Sequence, residues 1–153
     1  MTANKNNKNA DFRVSLSTHT EVNTPGAATF ISRTIDLHSP FGHYDVLISQ
    51  NPGSTQSNRR LGLSFNRNIQ PGVYPANGSG GQFHALKYTV STGTPALEQL
   101  IEYTADTGNV FVSTLHNGAF EHFEFTFDGT VTNAAGETHP LSGRSVIYVK
   151  HYL

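Results

Sequence analysis

The chain has no cysteine and no tryptophan, and charged residues make up only 14% of its 153 positions. Without cysteine there is no disulfide framework, no thiolate nucleophile and no Cys-ligated metal, so stability must come from packing and backbone ladders. A charged share well under the usual ~25% means that the surface is built largely from Ser, Thr, Asn and Gly. Such surfaces suit carbohydrate binders, exported proteins and structural subunits. Ten basic and eleven acidic residues give a net charge of -1, so there is no basic footprint for a polyanion and no nucleic-acid partner is expected. No apolar run approaches the ~18 residues of a membrane span, and no span is expected. The opening residues Met1 to Asn9 lack an apolar stretch. The expectation is therefore a soluble protein, either cytoplasmic or exported without a standard leader.

What is present is period-2 alternation. Residues 1–10 are Asn- and Lys-rich and read as a flexible tail, and residues 11–153 read as a single domain, since two cores would leave each half too small. Phe12, Val14 and Leu16 alternate, as do Tyr44, Val46 and Ile48, then Leu61, Leu63 and Phe65, then Leu86, Tyr88 and Val90. The strongest run is 119–128, with Phe123, Phe125 and Phe127 on one face and His122, Glu124 and Thr126 on the other. Residues 110–115 and 145–149 are apolar at successive positions, as central strands are.

Turn chemistry separates these runs at Asn51-Pro-Gly, Pro71-Gly, the stretch from Asn77 to Gly81, Asp106-Thr-Gly, His116-Asn-Gly, Asp128-Gly and Ala135-Gly. A helix capped by Thr94 with Pro95 in its first turn competes with a strand from about Gln99 to Thr104 that turns at Asp106-Thr-Gly, and the strand is preferred. About nine strands with little or no helix and no fixed-period repeat point to an all-β fold, a two-sheet β-sandwich or jelly roll.

Ile69-Gln-Pro-Gly-Val-Tyr, Ile101-Glu-Tyr, Thr107-Gly-Asn-Val-Phe-Val, Phe125-Thr-Phe-Asp-Gly-Thr-Val and Leu141-Ser-Gly-Arg-Ser-Val follow one another in order. This succession over roughly residues 60–150 resembles a loose group of small, uncharacterised bacterial β-sandwich proteins. The resemblance implies a fold and a bacterial origin, and it carries no catalytic residues with it. Members of that group commonly carry a lipoprotein signal, and no such signal is expected here, so their envelope location is not carried over.

Eight histidines invite a metal reading, but the best local pair, His122 and Glu124 two apart on one strand face, is far short of a four-ligand site. No metal or other cofactor is expected. Asp106-Thr-Gly matches the triplet that aspartic proteases use in pairs to share a proton, yet it occurs once and is also an ordinary turn. No nucleophile elbow, phosphate loop, His-Glu-x-x-His or calcium loop appears. Tyr44, Tyr74, Tyr103, Tyr148 and Tyr152 offer rings for stacking on sugars. The leading reading is a non-enzymatic binding module for a carbohydrate or another protein, with Asn77, His116 and Asn117 as candidate loop residues. A structural subunit of a bacterial or phage assembly, homo-oligomeric through β-mediated packing, is the alternative. A hydrolase using His122, Glu124 or Asp106 ranks third.

Overall fold

A computed structural model describes residues 14–39, 42–50, 57–92 and 99–151. The tail expected over residues 1–10, the Asn51-Pro-Gly turn, the alternative helix start at Thr94 and the ring of Tyr152 lie outside the described residues. The rest is all-β, and no helix occurs among the described residues. In chain order the strands are β1 (Val14–Asn23), β2 (Phe30–Ser32), β3 (Thr34–His38), β4 (His43–Ser49) and β5 (Ser57–Asn66). They continue as β6 (Gly72–Pro75), β7 (Phe83–Thr92), β8 (Gln99–Asn117), β9 (Phe120–Thr132) and β10 (Thr138–His151).

The expectation of two sheets gives way to one continuous antiparallel sheet in the order β2-β1-β10-β9-β8-β7-β5-β4-β3, with β6 pairing β8 beside it. Its two outermost strands are β2 and β3, which are separated in the chain only by Arg33. One strip of backbone thus pairs with β1 through Phe30 to Ser32 and with β4 through Thr34 to His38. The sheet curls until it is nearly closed and barrel-like. The Ser32 hydroxyl donates to the Ser49 carbonyl across this seam. Strand periodicity is the same in a sandwich and a barrel, so only the pairing at Arg33 distinguishes them.

Period-2 burial fills the interior. Phe123, Phe125 and Phe127 all point inward and are essentially inaccessible, as are Phe65, Phe83 and Ile147. Phe65 meets Phe125 with ring centroids 4.7 Å apart and Phe123 at 5.1 Å, while Tyr44 stands edge-on to Phe65 and Phe123 at 5.9 Å. Each buried Phe contributes roughly 1.5–3 kcal/mol by leaving water, and each tilted ring pair about 0.5–1.5 kcal/mol more. Interior hydroxyls on β1 and β10 are satisfied among themselves: Thr20 bonds Ser145 at 2.8 Å, and Thr18 donates to the Val146 carbonyl at 2.7 Å.

Two sequence expectations change along β8. Asp106-Thr-Gly is not a hairpin turn: the strand runs through it, and the register against β9 slips between Ala105 and Thr107 as at a β-bulge. Gly108, at φ 103°, faces Gly129 on β9, and a Cβ on either would strike the opposite backbone. Asp128-Gly likewise lies within β9 because this close approach, not a turn, requires the glycine. The bulge also hands β8 from one partner to another, since residues 99–104 pair with β7 and residues 109–112 with β6. Residues 110–115 are buried on one face only, and Phe111 and Leu115 point outward with 49% and 59% of their surface exposed. By contrast Ser145, Val146, Ile147 and Val149 are all buried, as expected of a central strand.

Candidate functional site

At the end of the barrel where β1 leads into β2, the strands do not pack to the centre, and a cleft of about 430 Å³ opens there. Five strands and the residue after β4 contribute to it in sheet order: Gln50 just past β4, Arg59 on β5, Tyr88 and Val90 on β7, Tyr103 on β8, Val131 on β9 and His139 on β10. The β1–β2 connection closes the remaining side with Thr24, Pro25, Ala27 and Ala28. The register explains this convergence, because Arg59 is paired with Val90, Tyr88 with Tyr103, and Val131 with His139.

Arg59 is the most constrained of these groups and retains 9% of its surface. Its Nη1 donates to the Ala28 carbonyl at 2.8 Å and to the Tyr88 hydroxyl at 3.2 Å, and its guanidinium lies 5.5 Å from the centre of the Phe30 ring. Its backbone NH donates to the Gln50 side-chain oxygen at 3.1 Å. Tyr88 and Tyr103 sit 6.4 Å apart, and His139 meets Tyr103 edge-on at 5.3 Å. The cleft is therefore walled by rings and aliphatic groups around one pinned cation. Its size falls in the ~300–1,000 Å³ range of small-molecule sites, which include the mouths of β-barrels.

The opposite end is shut by a polar cluster around Glu121, a buried carboxylate. Tyr44 on β4 donates to Glu121 Oε1 at 2.6 Å, His151 Nε2 on β10 lies 2.7 Å from the same oxygen, and Arg67, just past β5, donates from Nε to Oε2 at 3.2 Å. His116 Nδ1 on β8 is 3.6 Å from Oε2. Burial opposes ionisation of Glu121, but bonds from Tyr44, His151 and Arg67 outweigh it and hold the carboxyl below the usual glutamate range. Burial, reinforced by the facing carboxylate, pushes the Tyr44 hydroxyl far up. Burial also works against the Arg67 cation, and Glu121 more than restores it. A general acid or base works best with a pKa near the operating pH, whereas these carboxyl and phenol groups are driven apart from neutrality in opposite directions. The cluster acts as a clamp holding β4, β8, β9 and β10 together.

Of the candidates read from sequence, His116 belongs to this clamp, and Asn117 opens the β8–β9 turn. Asn77 is elsewhere. It follows Ala76, whose NH bonds the Gly108 carbonyl, eight residues back along β8 from His116 or roughly 26 Å at strand rise. Asn77 is exposed, and its side-chain oxygen accepts the Ser79 NH. The three loop residues are thus not gathered into one site. His122 and Glu124 lie on the outer face of β9, with His122 stacked on Tyr148 at 4.6 Å and the Glu124 carboxylate bonded to Arg144 at 2.9 Å. That bond holds Glu124 below its ordinary pKa. Asp106 lies on the exposed bulge, where it accepts the Thr132 hydroxyl at 3.4 Å. Among the described residues no group of three or more His, Asp and Glu is placed to hold a metal ion.

Sequence reasoning missed both ends of the barrel for different reasons. Glu121 had a signal, because the alternation of Phe123, Phe125 and Phe127 extended back two residues puts a carboxylate on the core face. The mouth had none, because Arg59, Tyr103 and His139 come from separate strands whose adjacency is a property of topology. No family model, no curated protein and no solved structure matches the chain.

Proposed function

We propose that this protein is a non-enzymatic binding module that takes a small molecule into the mouth of its barrel. The observation that carries the reading is the pinned Arg59 within a cleft of about 430 Å³ walled by Tyr88, Tyr103 and His139. A concave site of this size encloses a small ligand and offers little to a flat protein surface. The strands that shape it are tied together at the far end by the Glu121 clamp, so the site stands on a rigid scaffold, as precise recognition requires. Fragment screening by protein-observed NMR tests it. Binding should shift the resonances of Gln50, Arg59, Tyr88, Tyr103 and His139 and leave Asn77 and Asn117 unmoved; shifts confined to other surfaces, or none at all, would count against the proposal.

One observation favours a second reading, a subunit of a larger assembly. Val73 on β6 pairs with Phe111 on β8, and together with Leu115 they expose apolar surface on one outer face, Val73 to 58%. Light scattering across a wide concentration range decides it. Association that a Phe111→Ser, Leu115→Ser variant abolishes supports the assembly role, and a strict monomer argues against it.

A further inference from the structure

We infer that the ligand of the mouth cleft is an anion on a flat apolar body, with an aromatic carboxylate as the fitting class. The inference rests on the binding-module reading and narrows it to a chemistry.

The charge inside the cleft is one-sided. Arg59 is nine-tenths buried, and none of the described residues lining the cleft is an Asp or Glu. The partners of its side chain among the described residues are neutral, namely the Ala28 carbonyl and the Tyr88 hydroxyl, both on Nη1, with the Phe30 ring alongside. A guanidinium has five N–H donors, and with no carboxylate beside it among the described residues this buried cation stands to gain when an anion reaches it. The same contacts fix the group in one place before any ligand arrives, which lowers the ordering cost of binding. A carboxylate suits it because the planar fork of Arg matches two oxygens.

The rest of the wall selects the body that carries the anion. Tyr88 and Tyr103 present rings, Val90 and Val131 present branched aliphatic faces, and Pro25, Ala27 and Ala28 line the connection opposite. A flat, weakly polar ring system loses little by leaving water for such a wall, and tilted ring packing adds to its affinity. A sugar would bring many hydroxyls on every side of its ring. Besides Arg59 the lining offers it Gln50, Thr24, His139 and the hydroxyls of Tyr88 and Tyr103, with the Tyr88 hydroxyl already taken up by Arg59, so hydroxyls facing Val90, Val131 and Pro25 would lose their water without replacement.

The test is calorimetric and NMR titration of the full chain with benzoate, naphthalene-2-carboxylate and indole-3-acetate. Their primary amides, inorganic phosphate and a panel of monosaccharides form the comparison arms. The acids should bind and move the Tyr88 and Tyr103 resonances, while the amides and sugars bind at least about tenfold more weakly, the loss expected when a charge-assisted bond is removed. Arg59→Met, which keeps the stem and removes the cation, should weaken the acids by about the same factor. Gln50→Glu keeps an oxygen for the Arg59 NH while placing a carboxylate beside it, and it should weaken acid binding in a protein whose core is untouched. Amides that match acids, or full acid affinity in both variants, would overturn the anion inference and leave the binding module standing. No shift of the cleft resonances with any probe would overturn both.

Discussion

Replacing Glu121 by Gln keeps the side-chain volume and removes one charge from the closed end of the barrel. In the wild-type protein one carboxylate oxygen takes the Tyr44 hydroxyl and faces His151, and the other takes Arg67. The amide keeps one acceptor oxygen and loses the charge: its NH2 cannot accept from Arg67 Nε, and turned the other way it gives up the acceptor that the Tyr44 hydroxyl uses. Breaking a fully buried ion pair costs about 3–5 kcal/mol. Here the Arg67 side chain keeps 43% of its surface and can return to water, which brings the expected cost down to about 2–3 kcal/mol. At about 2–4 °C per kcal/mol for a chain of this size, Tm should fall by roughly 4–12 °C at pH 7. The pH dependence gives the sharper check. The Glu121 carboxyl sits below its ordinary value in the folded state, so its contribution is complete above the unfolded value of about 4.3 and is lost as pH falls through the lower folded value. The other carboxylates are common to both proteins and cancel in the difference. The Tm gap between wild type and Glu121→Gln should thus be present at pH 7 and close in acid below about pH 4.3, as the Glu121 carboxyl takes up its proton. Calorimetry over that range decides the matter, and equal Tm values at pH 7, or a gap that persists undiminished in acid, would refute the clamp.

Three further outcomes follow from the same geometry. Glu124→Gln removes the exposed pair with Arg144 and should change stability by no more than about 0.5 kcal/mol in a urea titration, in contrast to Glu121 three residues earlier. Phe125→Ala empties the centre of the ring cluster beside Phe65 and Phe83 and should cost about 3–5 kcal/mol, measured as a lower urea midpoint. Gly143→Ala puts a Cβ against the Glu21 carbonyl and the Phe127 ring, so it should destabilise by about 1–3 kcal/mol, although Ala is otherwise the milder residue in a strand; an unchanged melting curve would show that β10 can shift away from β1.

Sequence by itself determined the strands and their faces, because side chains alternate every two residues wherever one side of a strand is buried. The inward set of Phe123, Phe125 and Phe127 and the outward set of His122, Glu124 and Thr126 were legible from that rule alone. The rule says nothing about which strand lies next to which, nor whether a glycine is there to turn the chain or to let two backbones touch. Asp106-Thr-Gly shows the limit: its composition is that of a turn, and only the facing Gly129 makes it a bulge within a long strand. Phe111 and Leu115 show another, since an apolar residue is buried only if something covers it, and the described residues leave about half of each exposed. Closure of the sheet depends on residues 30–38 pairing with their chain neighbours β1 and β4 on either side, and on the first long strand, β1, pairing with the last, β10, a contact too distant in the chain for any local pattern to record. That closure is also what brings Arg59, Tyr88, Tyr103 and His139 from four strands to one mouth and Tyr44, Arg67, Glu121 and His151 to the opposite end. Local periodicity fixes which way each side chain points, and only the long-range pairing of strands decides what it meets there.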